Sequence, residues 1–269
     1  MGSARATLSI RLFGRLEVLA NGVHVRITGR HAQALTALLA LRPRPRLRDA
    51  IAAELWPDVD GPSAASLRQA LWLVRSSLTS VGLEPAAWLD VDQDTLGLQP
   101  GAILDLDVAR FERLAEEADE LEAGEAALSI YRGDLLEGLG HECFAAERER
   151  LSDCYEDLLA RIAAARLARG DVAGARQAAS ELLCRDPLRE EAHAVLIAAY
   201  GLAGSRSQVV RQYRRVCAIL RSELAVGPLP ETDAAYRVAL AAAASRSRER
   251  ASEIVYDPAP FMPVLVSSA

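Results

Sequence analysis

Apolar and polar residues alternate only in the first hundred positions of this 269-residue chain; from about residue 104 onward the apolar residues recur at helical spacing. A chain that changes period once reads as a mixed strand-and-helix module followed by an all-helical one. Leu8 to Val18 alternates, Asn21-Gly22 follows, and Val23 to Ile27 alternates again, which is the pattern of a hairpin closed by Asn-Gly. A helix is expected over His31–Leu41, stopped by Pro43 and Pro45. A second covers Leu47–Leu55 and ends before Trp56-Pro57-Asp58; a third fills residues 63–80. Short strands at Trp88–Val91 and Thr95–Leu98 enclose Asp92-Gln93-Asp94. Strands, three helices and a closing hairpin is the order of a winged helix with an N-terminal sheet.

The third helix is the most informative of these elements. At about 100° per residue, Leu67, Leu71, Val74 and Leu78 form one narrow stripe, expected to pack on Leu35, Leu38 and Leu39 of the first helix. Gln69, Trp72 and Ser76 fall opposite, with Arg68 and Arg75 on the shoulder. One face can be buried while the other offers amide, hydroxyl and guanidinium groups, the donors that meet base edges and phosphates. It follows a short helix after a Pro-containing turn, as in a helix-turn-helix. The same pattern also suits an ordinary amphipathic surface helix.

The net charge of −6 argues against a nucleic-acid partner until its distribution is considered. Residues 1–82 hold eleven Arg against five acids, residues 83–100 hold four acids and no Arg, and residues 101–269 hold twenty Arg against twenty-eight acids. There is no Lys. The cationic excess therefore sits on the segment that carries the helix-turn-helix pattern.

In the helical half, Leu104-Asp105-Leu106-Asp107 leads into a helix over 108–118, with Asp105 or Asp107 as its N-cap. Helices alone are expected from residue 105 to 246. Gly170 and Gly204 lie 34 residues apart, each closing a helix, and Ala175, Tyr200, Tyr213 and Pro187 fit the small, aromatic and terminating positions of a tetratricopeptide-like repeat. Such pairs stack to give a groove that binds peptides, helices or proteins. The expected division is a winged helix over 1–100, a helical-repeat domain over 101–246 and a Pro-containing tail over 247–269. Three Pro in six residues make that tail an extended, flexible segment by expectation, and its apolar run Phe261–Val266 also suits docking in a groove.

No phosphate-cradling Gly-rich loop is present, and no Ser/His/Asp or Cys/His set has local support. Asp90, Asp92 and Asp94 begin like a calcium loop, but Thr95 stands where Gly is needed and Gly101 where Glu is needed. His141, Cys143 and Cys154 lack the partners of a zinc site. His193 reads as a packing residue. No cofactor, metal or enzymatic activity is expected. The absence of a signal peptide or membrane-length apolar run suggests a reducing bacterial cytoplasm, with Cys143, Cys154, Cys184 and Cys217 as small core residues.

The segments LFGRLEVLANG, GRHAQALTALLAL, ELWPD and SLRQALWLVRSSL resemble the OmpR-type winged helix of the SARP family of bacterial transcriptional activators. YRGDLLEG, AERERL, RDPLREEAH, RQYRRV and ELAVGPLPET resemble the helical bacterial transcriptional activation domain that follows it there. The resemblance covers roughly residues 8–246. It implies a mainly α protein with a small β component and a DNA-binding regulator, an activator in this family. The third helix would enter the major groove of double-stranded DNA with Arg68, Gln69, Trp72, Arg75 and Ser76, while Arg46 and Arg48 would hold phosphate. The helical domain would mediate homodimerisation or contact RNA polymerase.

The sequence departs from the family where Leu73 and Ser76 replace expected cations, and where the wing offers Asp90, Asp92 and Asp94. Trp72 and Leu73 present unusual apolar area for a groove-reading face. Three crowded carboxylates favour a wing turned toward Arg of the helical domain or of a partner rather than toward phosphate. The alternative function is an adaptor or anti-activator that binds no DNA and works through the repeat groove.

Overall fold

The computed structural model describes residues 8–57, 63–99, 102, 104–117 and 121–253; the tail beyond, with Phe261–Val266, lies outside the described residues. The first elements are β1 (Leu8–Arg11), β2 (Glu17–Ala20), β3 (Val23–His24), α1 (Arg30–Leu41), β4 (Arg46–Leu47), α2 (Arg48–Leu55) and α3 (Ser63–Ser80). There follow β5 (Leu89–Val91), β6 (Thr95–Leu98), β7 (Leu104–Leu106), α4 (Asp107–Glu116), α5 (Leu121–Ile130) and α6 (Ala145–Ala168). The last are α7 (Val172–Arg185), α8 (Glu190–Leu202), α9 (Arg206–Glu223) and α10 (Pro230–Glu253). The protein is mainly helical, and all of its described strands precede α4. Residues up to Leu158 form one compact unit and those from Leu159 a second, so the change of period near residue 104 is not where the packing divides.

The alternating run Leu8–Val18 makes two strands rather than one, because Gly14 turns the chain at φ 78° between β1 and β2. Asn21 (φ 49°) and Gly22 (φ 81°) are both left-handed, the backbone of a type I′ turn between β2 and β3. The sheet order is β3-β2-β1-β7, antiparallel except that β7 runs parallel to β1. β7 overturns the expectation of helix from residue 105, since the edge of β1 needed a partner and Leu104–Leu106 supplies it.

Neither expected carboxylate caps α4 in the ordinary way. Leu106 occupies the cap position and makes no side-chain bond. Asp105 accepts a hydrogen bond from Ser9 Oγ at 3.2 Å and faces Arg110 at 3.8 Å. Asp107 is buried inside the first turn and accepts from Val108 N at 2.8 Å, Leu12 N at 2.9 Å and Phe13 N at 3.0 Å. Burial pushes its carboxyl up, against the opposing pull of those amides. Asp107 therefore ties the start of α4 to the chain leaving β1. The apolar counterpart of this joint is Phe111, fully buried between Phe13 (ring centroids 5.2 Å apart) and Tyr131 (5.8 Å). Leu136 N also donates to Leu12 O at 2.8 Å, and Leu135 makes an isolated bridge to Phe13. His141, half-buried, lies 6.4 Å from the His31 ring; burial and the nearby His31 and Arg30 charges hold it below the usual range.

The wing is a second sheet, ordered β4-β6-β5 and antiparallel throughout. A Cβ on Gly97 of β6 would stand 2.7 Å from Pro45 backbone, so this close crossing requires glycine.

In the second unit α8 is central and packs on α7, α9 and α10. Ile197, Val209 and Ala239 form one buried cluster there, with Tyr200, Tyr213, Tyr236 and Leu240 packed around them. A side chain on Gly201 would collide with Ala239 at 2.7 Å, which is how α8 and α10 come so close. The 34-residue period is realised at Gly170 (φ 81°) and Gly204 (φ 74°), which follow the ends of α6 and α8. Asp171 caps α7 by accepting from Gly174 N at 2.9 Å. α10 continues to Glu253, past the expected end at 246, because no Pro or Gly interrupts Ala239–Glu253. His193 is buried and bonded through both nitrogens, Nε2 to Pro187 O at 3.0 Å and Nδ1 to Gln212 Nε2 at 2.7 Å. Of the four Cys, Cys184 is exposed rather than a core residue, and the other three are half-buried.

Candidate nucleic-acid interface

α3 divides into the two faces that its spacing predicts. Leu67, Leu71, Val74 and Leu78 are each at most 5% exposed on the side of α1, where Leu35, Leu38 and Leu39 are equally buried. Burying four aliphatic side chains contributes about 1.5–3 kcal/mol each, which fixes the roll of the helix. Arg68, Gln69, Trp72, Arg75 and Ser76 consequently all face solvent. Leu73 does not join them: it is half-buried, and a Cβ placed on Gly29 would lie 3.3 Å from its Cδ1. The family's cation at that position is thus replaced by a residue that packs toward the start of α1.

An open groove of about 790 Å³ runs along the exposed face. Arg48, Arg68, Trp72, Arg75 and Ser76 line it, joined by Leu71, Thr79, Ser80, Glu84, Pro85 and Val91. A neighbouring groove of about 530 Å³ lies by the wing turn, lined by Leu47, Arg48, Asp49, Ala64, Leu67, Arg68, Gln93 and Asp94. Arg48 and Arg68 belong to both. Two expected site residues stand apart. Arg46 lines neither groove: on β4 it donates from Nη2 to Glu54 at 2.6 Å, and Arg42 also pairs with Glu54. Gln69 is exposed but lies outside the residues that line the grooves.

The wing turn is fastened to the start of α2. Arg48 N donates to Asp94 O at 2.9 Å, and Arg48 Nη1 donates to Asp92 O at 3.2 Å. The carbonyls, not the carboxylates, take these bonds. Asp92 and Asp94 are exposed, and among the described residues their carboxylates form no ion pair. Among the described residues no Arg of this chain pairs with Asp92 or Asp94, since the short Asp92–Asp94 turn aims its carbonyls at α2 and its side chains outward. Sequence reasoning also passed over Leu47, 61% exposed beside the wing, and Thr79, which shares the groove. Thr79 lies one turn beyond Arg75 and Ser76 and shares their face, whereas Leu47 is exposed because Arg46–Leu47 forms β4 rather than the start of a helix.

Chemically, the grooves gather three guanidiniums, hydroxyls and an indole around an open surface, with Glu84, Asp49 and Asp94 at the margins. This arrangement can hold phosphates and meet base edges. Among the described residues no three His, Cys, Asp or Glu side chains converge as metal ligands, and no helix is long and apolar enough to cross a membrane.

A winged helix joined to helical pairs, with its third helix exposed, is the architecture of a transcriptional regulator. The chain belongs to the bacterial transcriptional activator domain family, whose model matches residues 106–240, and with its winged helix it is a SARP-type regulator. Over 91% of this chain and 71% of the other, the fold matches the solved structure of Mycobacterium tuberculosis EmbR in complex with a low affinity phosphopeptide, at 24% identity and a TM-score of 0.70. No curated protein matches the chain at a significant level. The family is one of transcriptional regulators and not an enzyme class.

Proposed function

We propose that this regulator is an activator that binds double-stranded DNA sequence-specifically, with α3 in the major groove. Arg68, Trp72, Arg75 and Ser76 approach base edges and nearby phosphates, Arg48 holds phosphate beside the wing, and Gln69 reads at the edge of the contact. Arg46 contributes by positioning β4 through Glu54 rather than by a free charge. The observation that carries the reading is the groove lined jointly by Arg48, Arg68 and Arg75 on the face opposite α3's buried stripe. The helical pairs serve self-association or contact with RNA polymerase, and the compartment is the cytoplasm. The domains that do this are the winged helix up to residue 100 and the helical region from 101, whose last helix runs to Glu253.

Selection from random-sequence duplex pools, followed by salt titration, tests the proposal. A single enriched motif is expected. With two or three phosphates neutralised, log K should fall with log salt at a slope of about −2 to −3. A second reading, an adaptor that binds protein instead, draws on the exposed acids Asp92 and Asp94 and on the exposed Leu47 beside them. It predicts no enriched motif.

A further inference from the structure

Trp72 is 65% exposed and is the largest side chain on the open face of α3. One turn away stand Arg68 on one side and Arg75 and Ser76 on the other, all lining the same groove with Arg48. Each of those neighbours has an evident partner on a duplex: guanidinium with phosphate or with guanine O6 and N7, hydroxyl with either. An indole's ring surface gains nothing from phosphate. It offers one N–H and a broad apolar surface, and leaving that surface in water forgoes its transfer free energy. The major-groove edges of the bases present donors, acceptors and one apolar group, the C5-methyl of thymine.

We infer that Trp72 reads thymine by packing its indole on that methyl group, making one thymine a determinant of operator choice. This rests on the DNA-binding reading above. Helical rise places Trp72 about 6 Å from Arg68 and about 4.5 Å from Arg75 along the axis. At about 3.4 Å per base step, the thymine lies within about two base pairs of the groups those arginines hold. An exposed Trp can also anchor a protein contact, but this one shares its groove with the guanidiniums of Arg48, Arg68 and Arg75, which suits a polyanion.

The test replaces each thymine of the selected duplex, one at a time, by deoxyuridine, which removes the methyl and nothing else. Binding is measured for the full chain and for Trp72→Ala. At one or two positions the parent should lose about fourfold in affinity, the worth of one buried methyl, and Trp72→Ala should bind the thymine and uracil duplexes alike. Equal thermal stability of the two proteins, expected because Trp72 is exposed, shows that folding is unaffected. If every uracil substitution leaves the parent unchanged, or if Trp72→Ala keeps the parent's sensitivity, the inference is wrong while DNA binding stands. If the parent selects no duplex, the DNA-binding reading itself falls and takes this one with it. A Trp72→Ala variant that binds DNA normally but loses a protein partner assigns the indole to that partner instead.

Discussion

In the second unit several polar side chains at helix junctions are satisfied from within. His193 bonds Pro187 O and Gln212, Tyr213 Oη donates to Asp233 at 2.6 Å, and Glu190 accepts from Leu229 N and Thr232 Oγ1, each at 2.8 Å. On the open face of α3, Arg68, Gln69, Trp72 and Ser76 make no side-chain bond among the described residues. The two regions are comparably helical, so secondary structure does not distinguish them. What distinguishes them is where polar groups find partners: inside the fold in one case, outside it in the other. A polar group bonded internally holds the fold together; one presented on a rigid, well-packed helix is available for recognition.

The comparison breaks most visibly if the core of the first unit is removed. Phe111→Ala empties a fully buried ring site and should destabilise the protein by about 3–5 kcal/mol, measured by denaturant unfolding. Because Phe111 joins α4 to Phe13 of the N-terminal segment, the loss should appear in the transition of the first unit. A cost below about 1 kcal/mol would mean that the aromatic joint is not a core.

Next in size are the groove residues, where the opposite outcome is expected. Arg68→Ala and Arg75→Ala should each weaken DNA binding by about 1–3 kcal/mol where a base contact is lost, with melting temperature nearly unchanged. Parent-like binding by both variants would remove α3 as the reader. A large loss of stability would show that its open face, like the polar groups of the second unit, is structural.

A smaller effect concerns His193. Its Nε2 faces a carbonyl, which only accepts, so Nε2 carries the proton and Nδ1 takes the bond from Gln212; the ring is neutral with both nitrogens in use. Burial holds its pKa below the usual 6.5 of a free imidazole. The unfolded chain therefore takes up a proton as pH falls below 6.5 while the folded chain does not, and stability declines down to the folded pKa; above 6.5 this group has no effect. His141 is displaced in the same direction in the first unit. Thermal melts between neutral pH and about pH 5 should show the decline, and His193→Gln should flatten it only in part. An unchanged slope would show that His193 is not protected from protonation.

The smallest effect belongs to the wing. Asp92→Asn with Asp94→Asn should tighten DNA binding at low salt and make little difference at high salt, because exposed carboxylates near a phosphate backbone repel it across a screened distance. Unchanged affinity at both salt concentrations would place the wing away from phosphate.

Periodicity alone settled the roll of α3. Leu67, Leu71, Val74 and Leu78 recur at a spacing that only a helix brings to one side, and water excludes that side whatever surrounds it. The Asn21-Gly22 turn and the helix ends near Gly170 and Gly204 were equally legible, since both depend on local backbone freedom. Partners distant in sequence were not. That Leu104–Leu106 completes the first sheet beside β1, that Asp107 serves the amides of Leu12 and Phe13 rather than capping a helix, and that Arg46 is engaged by Glu54 while Arg48 stays at the groove are all matters of long-range pairing. A strand edge or a charged side chain takes whichever partner the tertiary fold brings within reach, and one-dimensional spacing carries no record of that choice.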